Sequence, residues 1–122
     1  MILSEDHSNA TYQIQSISQG KIVINNETYT NSVIISAEEL ISPWAPKNSS
    51  EISDADLLPL LELKPDIILI GTGERSVIIP ASKLALLLTK QFHVECMNTA
   101  AACRTYTILI SEGRKVVAGL II

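Results

Sequence analysis

Two short stretches of the sequence hold the residues best suited to binding a ligand. The first, Gly71-Thr72-Gly73-Glu74-Arg75, follows an uninterrupted apolar run that predicts a buried strand. Two glycines there allow backbone N–H groups to approach a ligand closely, and ligands bind at the carboxyl ends of strands in open α/β sheets. The stretch lacks the Lys-Ser/Thr end of a phosphate loop and the third glycine of a dinucleotide fingerprint. A plain glycine turn at a crowded strand end is therefore the simpler interpretation.

The second stretch begins at Asn98 and ends at Tyr106. Asn98 predicts the N-cap of a helix, whose free N–H groups suit an anion. If Arg104 in that helix converges with Arg75, the two form a small cationic pocket for a carboxylate or phosphate. The alternative is a capped helix that packs through small residues and carries a solvated or paired arginine. The candidate ligand-binding residues are Gly71, Thr72, Gly73, Glu74, Arg75, Asn98, Arg104, Thr105 and Tyr106.

Patterns for catalysis and metal binding are poorly represented. The cysteines, Cys96 and Cys103, do not have the number or spacing of a zinc site. His93 and Cys103 come with no evident orienting acid or oxyanion donor, which argues against nucleophilic catalysis. We therefore expect no metal, no cofactor and no catalytic set. This favours a binding or assembly module over an enzyme, with an anion-binding protein or weak enzyme as the alternative.

Trp44 lies between two prolines in the loop of residues 42–50, where prolines and small polar residues prevent regular structure. It is the candidate residue for contact with a protein partner. The alternative is a lid folded over the sheet, which is the more frequent fate of a single tryptophan because such residues are usually largely buried.

The composition excludes several classes of function. Nine basic and thirteen acidic residues give a net charge of −4, and only five residues are aromatic, so a nucleic-acid partner is not expected. No apolar run reaches the roughly 20 residues that span a bilayer, so membrane insertion is not expected either. Residues 1–10 contain no Lys or Arg and are interpreted as a flexible leader rather than a targeting signal. We expect a cytoplasmic protein.

The pattern along the chain predicts strands first and alternating helices and strands afterwards. Three sequential strands with turns at Gln19-Gly20 and Asn25-Asn26, the third within Glu27–Ile35, indicate an antiparallel meander. After residue 50 the pattern first predicts a helix over 54–62, which Ser53 or Asp56 could cap, with Asp56 preferred because it puts Pro59 in the first turn. The elements expected after it are a strand over 67–70, a helix from Pro80 to about Lys90, a strand over 92–96, a helix over 99–111 stopped by Gly113, and a central strand over 116–122.

These elements predict an α/β fold, because strands that are apolar on both faces require a sheet covered by helices. We expect a single three-layer domain over residues 11–122, with a central mixed sheet, helices and an added N-terminal antiparallel β layer.

Four motifs, in this order, resemble a known family. They are Pro43-Trp44, Gly71-Thr72-Gly73, Asn98-Thr99 leading into Arg104-Thr105-Tyr106, and Glu112-Gly113-Arg114-Lys115-Val116. The chain resembles the small Mth-type domain family, which includes adipogenesis-associated and mitochondrial NADH-dehydrogenase assembly proteins. The resemblance implies the three-layer fold and a non-enzymatic assembly or regulatory role, with no catalytic set to carry over. Thr107 departs from the family, where Asn is more frequent.

Overall fold

Residues 10–122, which the computed structural model describes, begin with a run of strands and continue with alternating helices and strands. In chain order these elements are β1 (Ile14–Ser18), β2 (Lys21–Ile24), β3 (Glu27–Tyr29), β4 (Val33–Ser36), β5 (Leu40–Ile41), α1 (Asp54–Glu62), β6 (Ile67–Gly71), α2 (Ala85–Leu88), β7 (His93–Met97), α3 (Thr99–Ser111) and β8 (Val116–Leu120). Strands β1, β2 and β3 form a small antiparallel sheet, and the other five form a larger sheet in the order β5-β4-β8-β6-β7.

The larger sheet is mixed, and its middle strands are fully buried. β8 runs parallel to β6, with Ile67 opposite Val116 and Gly71 opposite Leu120. β7 is parallel to β6, whereas β4 is antiparallel to β8. Every residue of β6 and β8 is buried, because both faces of the sheet are covered. The predicted central position of the last strand is confirmed.

Two separate apolar cores lie on the two faces of the larger sheet. Successive residues of a strand point to opposite faces, so Ile67 and Leu69 enter one core while Ile68 and Ile70 enter the other. The first core is completed by α3 and the small sheet, the second by α1, α2 and Trp44. The protein is thus the three-layer α/β domain with an added antiparallel β layer that the sequence predicts.

The hairpin between β2 and β3 follows the sequence prediction. Asn25 and Asn26 both have positive φ, 49° and 69°, which asparagine tolerates better than most residues. The side-chain oxygen of Asn25 also accepts a hydrogen bond from the Gln13 N–H at 3.0 Å, which joins the turn to the residue before β1.

The prediction of one β segment over Glu27–Ile35 is wrong, because the chain changes sheets within it. β3 belongs to the small sheet and β4 to the larger one. Ser32, between them, donates from its hydroxyl to the Pro46 carbonyl at 2.7 Å and accepts the Trp44 N–H on its own carbonyl at 2.7 Å. These bonds commit Ser32 to the loop of residues 42–50 instead of to a continuous strand.

The cap preferred for α1, Asp56, is also wrong, and the alternative, Ser53, is confirmed. The N-cap is Ser53, and Asp56 is the third helical residue, whose carboxylate accepts the Ser53 N–H at 2.9 Å. This is the capping-box arrangement, in which the residue three positions on reaches back to the cap. Pro59 consequently lies inside the helix instead of in its first turn.

The helix predicted from Pro80 to Lys90 is shorter and divided. A 3₁₀ turn over Ala81–Leu84 precedes α2. Its last residue, Leu84, has a non-helical backbone conformation, with φ −102° and ψ 9°, which divides the turn from the helix. The buried residues Leu84 and Leu87 are three apart, so two short pieces suffice to seat both in the core.

The predicted leader falls outside the described residues, apart from Ala10. α3, with 13 residues, is the longest helix in the described part of the chain, where no helix is both long and apolar enough to traverse a bilayer.

Candidate functional site

Thr99, the first residue of α3, joins three segments that are distant in sequence. Its N–H donates to the Gly73 carbonyl and its Oγ1 accepts the Gly73 N–H, both at 2.8 Å. The same hydroxyl donates to the Ile121 carbonyl at 2.6 Å. Thr99 therefore fixes the end of β6, the start of α3 and the residue after β8 in one arrangement. Thr99 is not among the predicted ligand-binding residues, because its partners are 22 and 26 residues away in sequence.

The structure requires glycine at the two glycine positions of the first stretch for different reasons. A Cβ added to Gly71 would lie 2.8 Å from Thr99 Oγ1 and 3.0 Å from Thr99 Cα, so only glycine lets α3 start this close to β6. Gly73 has a φ of +101°, a conformation that L side chains rarely adopt. Gly71 thus allows the close approach of α3 to β6, and Gly73 allows the left-handed backbone that follows it.

Thr72 organises the loop that follows. Its hydroxyl lies 2.6 Å from the Arg75 carbonyl and 3.2 Å from the Met97 carbonyl, and it accepts the Val77 N–H at 3.2 Å. Its own N–H donates to the Met97 carbonyl at 2.8 Å. Thr72 is buried, so this polar group is satisfied entirely by backbone partners and sets the path of residues 73–77.

Asn98 is the N-cap of α3, as predicted. Its Oδ1 accepts the Ala101 N–H at 2.8 Å. An α-helix begins with four N–H groups that lack partners within the helix. Here the N–H groups of Thr99 and Ala101 are already bound to Gly73 and Asn98, so two of those four donors are taken by the protein itself. The capacity of this helix end for an anion is reduced accordingly.

A cleft of about 470 Å³ opens beside this junction. Its walls come from the turn between β1 and β2, the residues after β6, the first residues of α3 and the residues after β8. The lining residues are Ile17, Ser18, Gln19, Gly20, Gly73, Glu74, Thr99, Ala100, Ile121 and Ile122. Glu74 is the charged side chain among them, and a carboxylate disfavours an anionic ligand. Of the predicted ligand-binding residues, the cleft brings together Gly73 and Glu74.

The remaining predicted residues lie elsewhere. Arg75 and Arg104 are both exposed, and neither lines the cleft. The Thr105 hydroxyl contacts Met97 Sδ at 3.5 Å, between α3 and β7. Tyr106 is in the core, where its hydroxyl donates to the Tyr12 carbonyl at 3.2 Å and burial raises its pKa. Tyr106 therefore holds α3 to the chain entering the small sheet.

Trp44 is a lid over the second core. Its side chain is only 5% exposed, and its indole Nε1–H donates to the Asp56 carbonyl in α1 at 3.0 Å. The ring lies on Gly119 of β8, where an added Cβ would be 2.7 Å from Cη2 of the indole. The structure agrees with the second interpretation of Trp44, a lid folded over the sheet. The Trp44 side chain therefore offers little surface to a partner.

The two cysteines lie on opposite faces of the larger sheet. Cys103 in α3 belongs to the first core, and burial raises its pKa to about 12 despite the opposing charge of Arg104. Cys96 in β7 packs against the second core, is half-buried, and also has a pKa raised by burial. With the sheet between them, they cannot form a disulfide with each other.

A second cleft, of about 730 Å³, lies at the other end of the sheet. Its lining includes side chains of both signs of charge, the acidic Glu38, Glu39 and Glu62 and the basic Arg114 and Lys115. In the sequence, Arg114 and Lys115 stand out only as part of a family motif. The acidic residues come from two other segments of the chain, and nothing in the sequence near them predicts that they lie beside this motif.

The chain belongs to a family defined by its sequence. Residues 14–121 match the model of the family described as "Protein of unknown function (DUF498/DUF598)", which covers nearly all of the described chain. The domain is of the Mth type. A solution structure of a Bordetella pertussis protein described as an Mth938-like domain is 28% identical, covers 98% of this chain and 91% of that chain, and has a TM-score of 0.79. The resemblance noted from the sequence is confirmed.

Other relatives have diverse names. The chain is 29% identical over 118 residues to the "13 kDa major membrane protein" of Francisella tularensis, which covers 95% of both chains. It is 30% identical over 108 residues to NADH dehydrogenase [ubiquinone] 1 alpha subcomplex assembly factor 3 of Xenopus tropicalis, which covers 78% of this chain but 59% of that protein. A Xanthomonas campestris protein solved by NMR is 34% identical, covers all of this chain and 92% of that chain, and has a TM-score of 0.82.

Proposed function

We propose that this protein is a non-enzymatic binding module that contacts another protein through the end of the sheet where β6 and β8 finish. This end, termed the docking end, comprises the 470 Å³ cleft and the adjacent residues Val77 and Ile78. The similarity to assembly factors supports the class of function. It extends over less than two thirds of the length of the Xenopus assembly factor, so the partner of that protein is not carried over.

The observation that carries the proposal is the exposure of Ile78. Its side chain is 94% exposed, in a loop that Thr72 holds in place, and Val77 beside it is also exposed. Removing an isoleucine side chain from water contributes about 1.5–3 kcal/mol, so a partner that covers Ile78 gains substantially. Ala100 and Ile122, which are half-buried in the lining of the neighbouring cleft, extend the apolar surface at the same end of the sheet.

The alternative, an anion-binding site, has less support from the geometry. Two donors at the start of α3 are used by Gly73 and Asn98, and Glu74 lines the cleft. Neither Arg75 nor Arg104 lines it. A cytoplasmic location stays a prediction from sequence, since a bacterial relative is named as a membrane protein.

The test compares two serine substitutions in affinity purification from the native cell, with chemical cross-linking and mass spectrometry. Ile78→Ser removes the exposed side chain of the docking end. Leu58→Ser is the matched control, because Leu58 is an exposed apolar residue on α1 in another layer. We expect Ile78→Ser to lose the cross-linked proteins that wild type and Leu58→Ser retain. Retention of all of them by Ile78→Ser contradicts the proposal, and loss of a bound anion in Arg104→Ala alone supports the alternative.

A further inference from the structure

β7 is a free edge of the larger sheet. In residues 10–122 it pairs with β6 and with no second strand. The Met97 carbonyl accepts the Thr72 N–H, so Met97 faces β6. The N–H and C=O of one strand residue point to the same side and alternate along the strand, so His93 and Glu95 also face β6. The backbone groups of Val94 and Cys96 therefore point outward from the sheet.

The side chains along this edge are self-complementary. His93 and Glu95 lie on one face, where His93 Nε2 is 2.8 Å from a carboxylate oxygen of Glu95. Val94, between them, packs against the second core on the other face. The order along the strand is His-Val-Glu. When two copies of this strand pair antiparallel with the valines opposite each other, each histidine lies opposite a glutamate of the other copy.

We propose that β7 is the interface of a homodimer in which it pairs antiparallel with β7 of a second copy, Val94 opposite Val94. The two outward-facing valines then exchange both backbone hydrogen bonds. His93 of each chain lies opposite Glu95 of the other at a position without backbone bonds, where side chains are closest and opposite-charge or hydrogen-bonding pairs stabilise the sheet. The two larger sheets join into one sheet of ten strands.

The register is set by the same residues. Pairing centred on Cys96 also uses outward backbone groups, but it places the Glu95 carboxylate opposite Met97, so Glu95 gains no partner on the second copy beyond the His93 of its own chain. Pairing centred on Glu95 lets the outward groups of Val94 and Cys96 bond each other, but it places two carboxylates face to face, and such a like-charge pair is destabilising. Only the Val94 register satisfies both the backbone and the charges.

Exposed apolar residues flank this edge on both layers. α2, which packs on the face of β7 that carries Val94, ends at Leu88, which is 42% exposed. On the other face, Thr105 of α3 touches Met97, and Ile108, three residues further along the helix, is 56% exposed. A second copy on the β7 edge brings apolar surface together on either side of the joined strands, as stable interfaces require.

The test measures the mass of the full chain in solution by sedimentation velocity over a range of concentrations. We expect wild type to associate to twice the 13.3 kDa chain mass. Val94→Pro removes the outward N–H without removing a bond to β6, so it should sediment as a folded monomer, whereas Val94→Thr retains the N–H and should remain dimeric. Circular dichroism checks the fold of each variant.

A pair of substitutions at His93 tests the charges without altering the backbone. His93→Glu opposes the second copy's Glu95 with a like charge and should weaken association about tenfold or more, while His93→Lys should not weaken it. Ile78→Ser should leave the dimer unchanged, so failure of this inference is separate from failure of the docking end. A monomeric wild type, or a dimer that survives both Val94→Pro and His93→Glu, overturns the proposal.

Discussion

The indole ring of Trp44 lies on the backbone of Gly119, with the missing side chain of the glycine providing the space for the ring. Gly119 is in the central strand, opposite Ile34 on β4 and Ile70 on β6. The lid is therefore seated on the middle of the sheet, and its Nε1–H is fixed by the Asp56 carbonyl.

Gly119→Ala should destabilise the protein by about 1–3 kcal/mol, because the added methyl overlaps the ring and forces the lid or the strand to move. The measurement is the free energy of unfolding in urea. The same substitution made together with Trp44→Leu should cost less, since a smaller side chain leaves room for the methyl. Equal costs in the two backgrounds would mean that the ring is not what excludes the methyl.

Thr99→Val and Thr107→Val should have opposite consequences although the chemical change is the same. Thr99 Oγ1 is hydrogen-bonded to the Gly73 N–H and to the Ile121 carbonyl. Its loss leaves these groups without that partner, which should lower the free energy of unfolding by about 1–3 kcal/mol. Thr107 Oγ1 is buried and has no hydrogen-bond partner among residues 10–122, so valine there should be neutral or stabilising. Thermal unfolding of both variants compares them, and a similar loss in both would contradict the role given to Thr99.

Stability should fall at alkaline pH because of Cys103. Its thiol has an ordinary pKa of 9.0, and burial raises this pKa to about 12 in the folded protein. Between these values the unfolded chain has lost a proton that the folded protein retains, so stability is full below pH 9 and declines up to about pH 12. The contribution of one such group is about 1.4 kcal/mol per pH unit.

Urea unfolding of wild type and Cys103→Ala at several alkaline pH values measures this slope. The alanine variant is expected to be less stable at neutral pH because of the cavity, but its stability should decline less steeply. Tyr106, whose pKa is also raised by burial, contributes a decline common to both proteins. Identical slopes would show that Cys103 does not titrate in this way.

The cysteines should differ in reactivity with a thiol reagent at neutral pH. Cys96 is half-buried and should react in the folded protein, more slowly than a free thiol because burial raises its pKa. Cys103 is fully buried and should react only when the protein opens. Mass spectrometry over time, with Cys96→Ser and Cys103→Ser as single-thiol controls, separates the two rates. Fast labelling of Cys103 in the folded protein would contradict its placement in the core.

Features that depend on neighbouring residues were predictable from the sequence. The Asn98 cap, the positive φ of Gly113 and the paired asparagines of the hairpin follow from local backbone rules. The uninterrupted apolar runs at β6 and β8 indicated strands buried on both faces. Each of these features is set within a few residues, which is why the sequence predicts them. The strands buried on both faces are the feature that indicates the α/β class.

The candidate site was only partly predictable, because its geometry is set by contacts between distant segments. Gly71 and Gly73 were predicted as ligand contacts, which stays a prediction; what the structure shows is the close approach of Thr99 to Gly71 and the positive φ of Gly73. Tyr106 belongs to a motif, yet its partner Tyr12 is 94 residues away. The free edge of β7 likewise depends on strand order, which local patterns do not reveal.

The strand order has a consequence for synthesis on the ribosome. β8 is the last strand of the described chain to be translated, yet it lies between β4 and β6. The small sheet is a sequential meander whose strands can pair as soon as they emerge. β4 and β6 must wait for β8, so their apolar side chains stay exposed while it is made. The nascent chain is therefore expected to need protection from aggregation until its last strand enters the centre of the sheet.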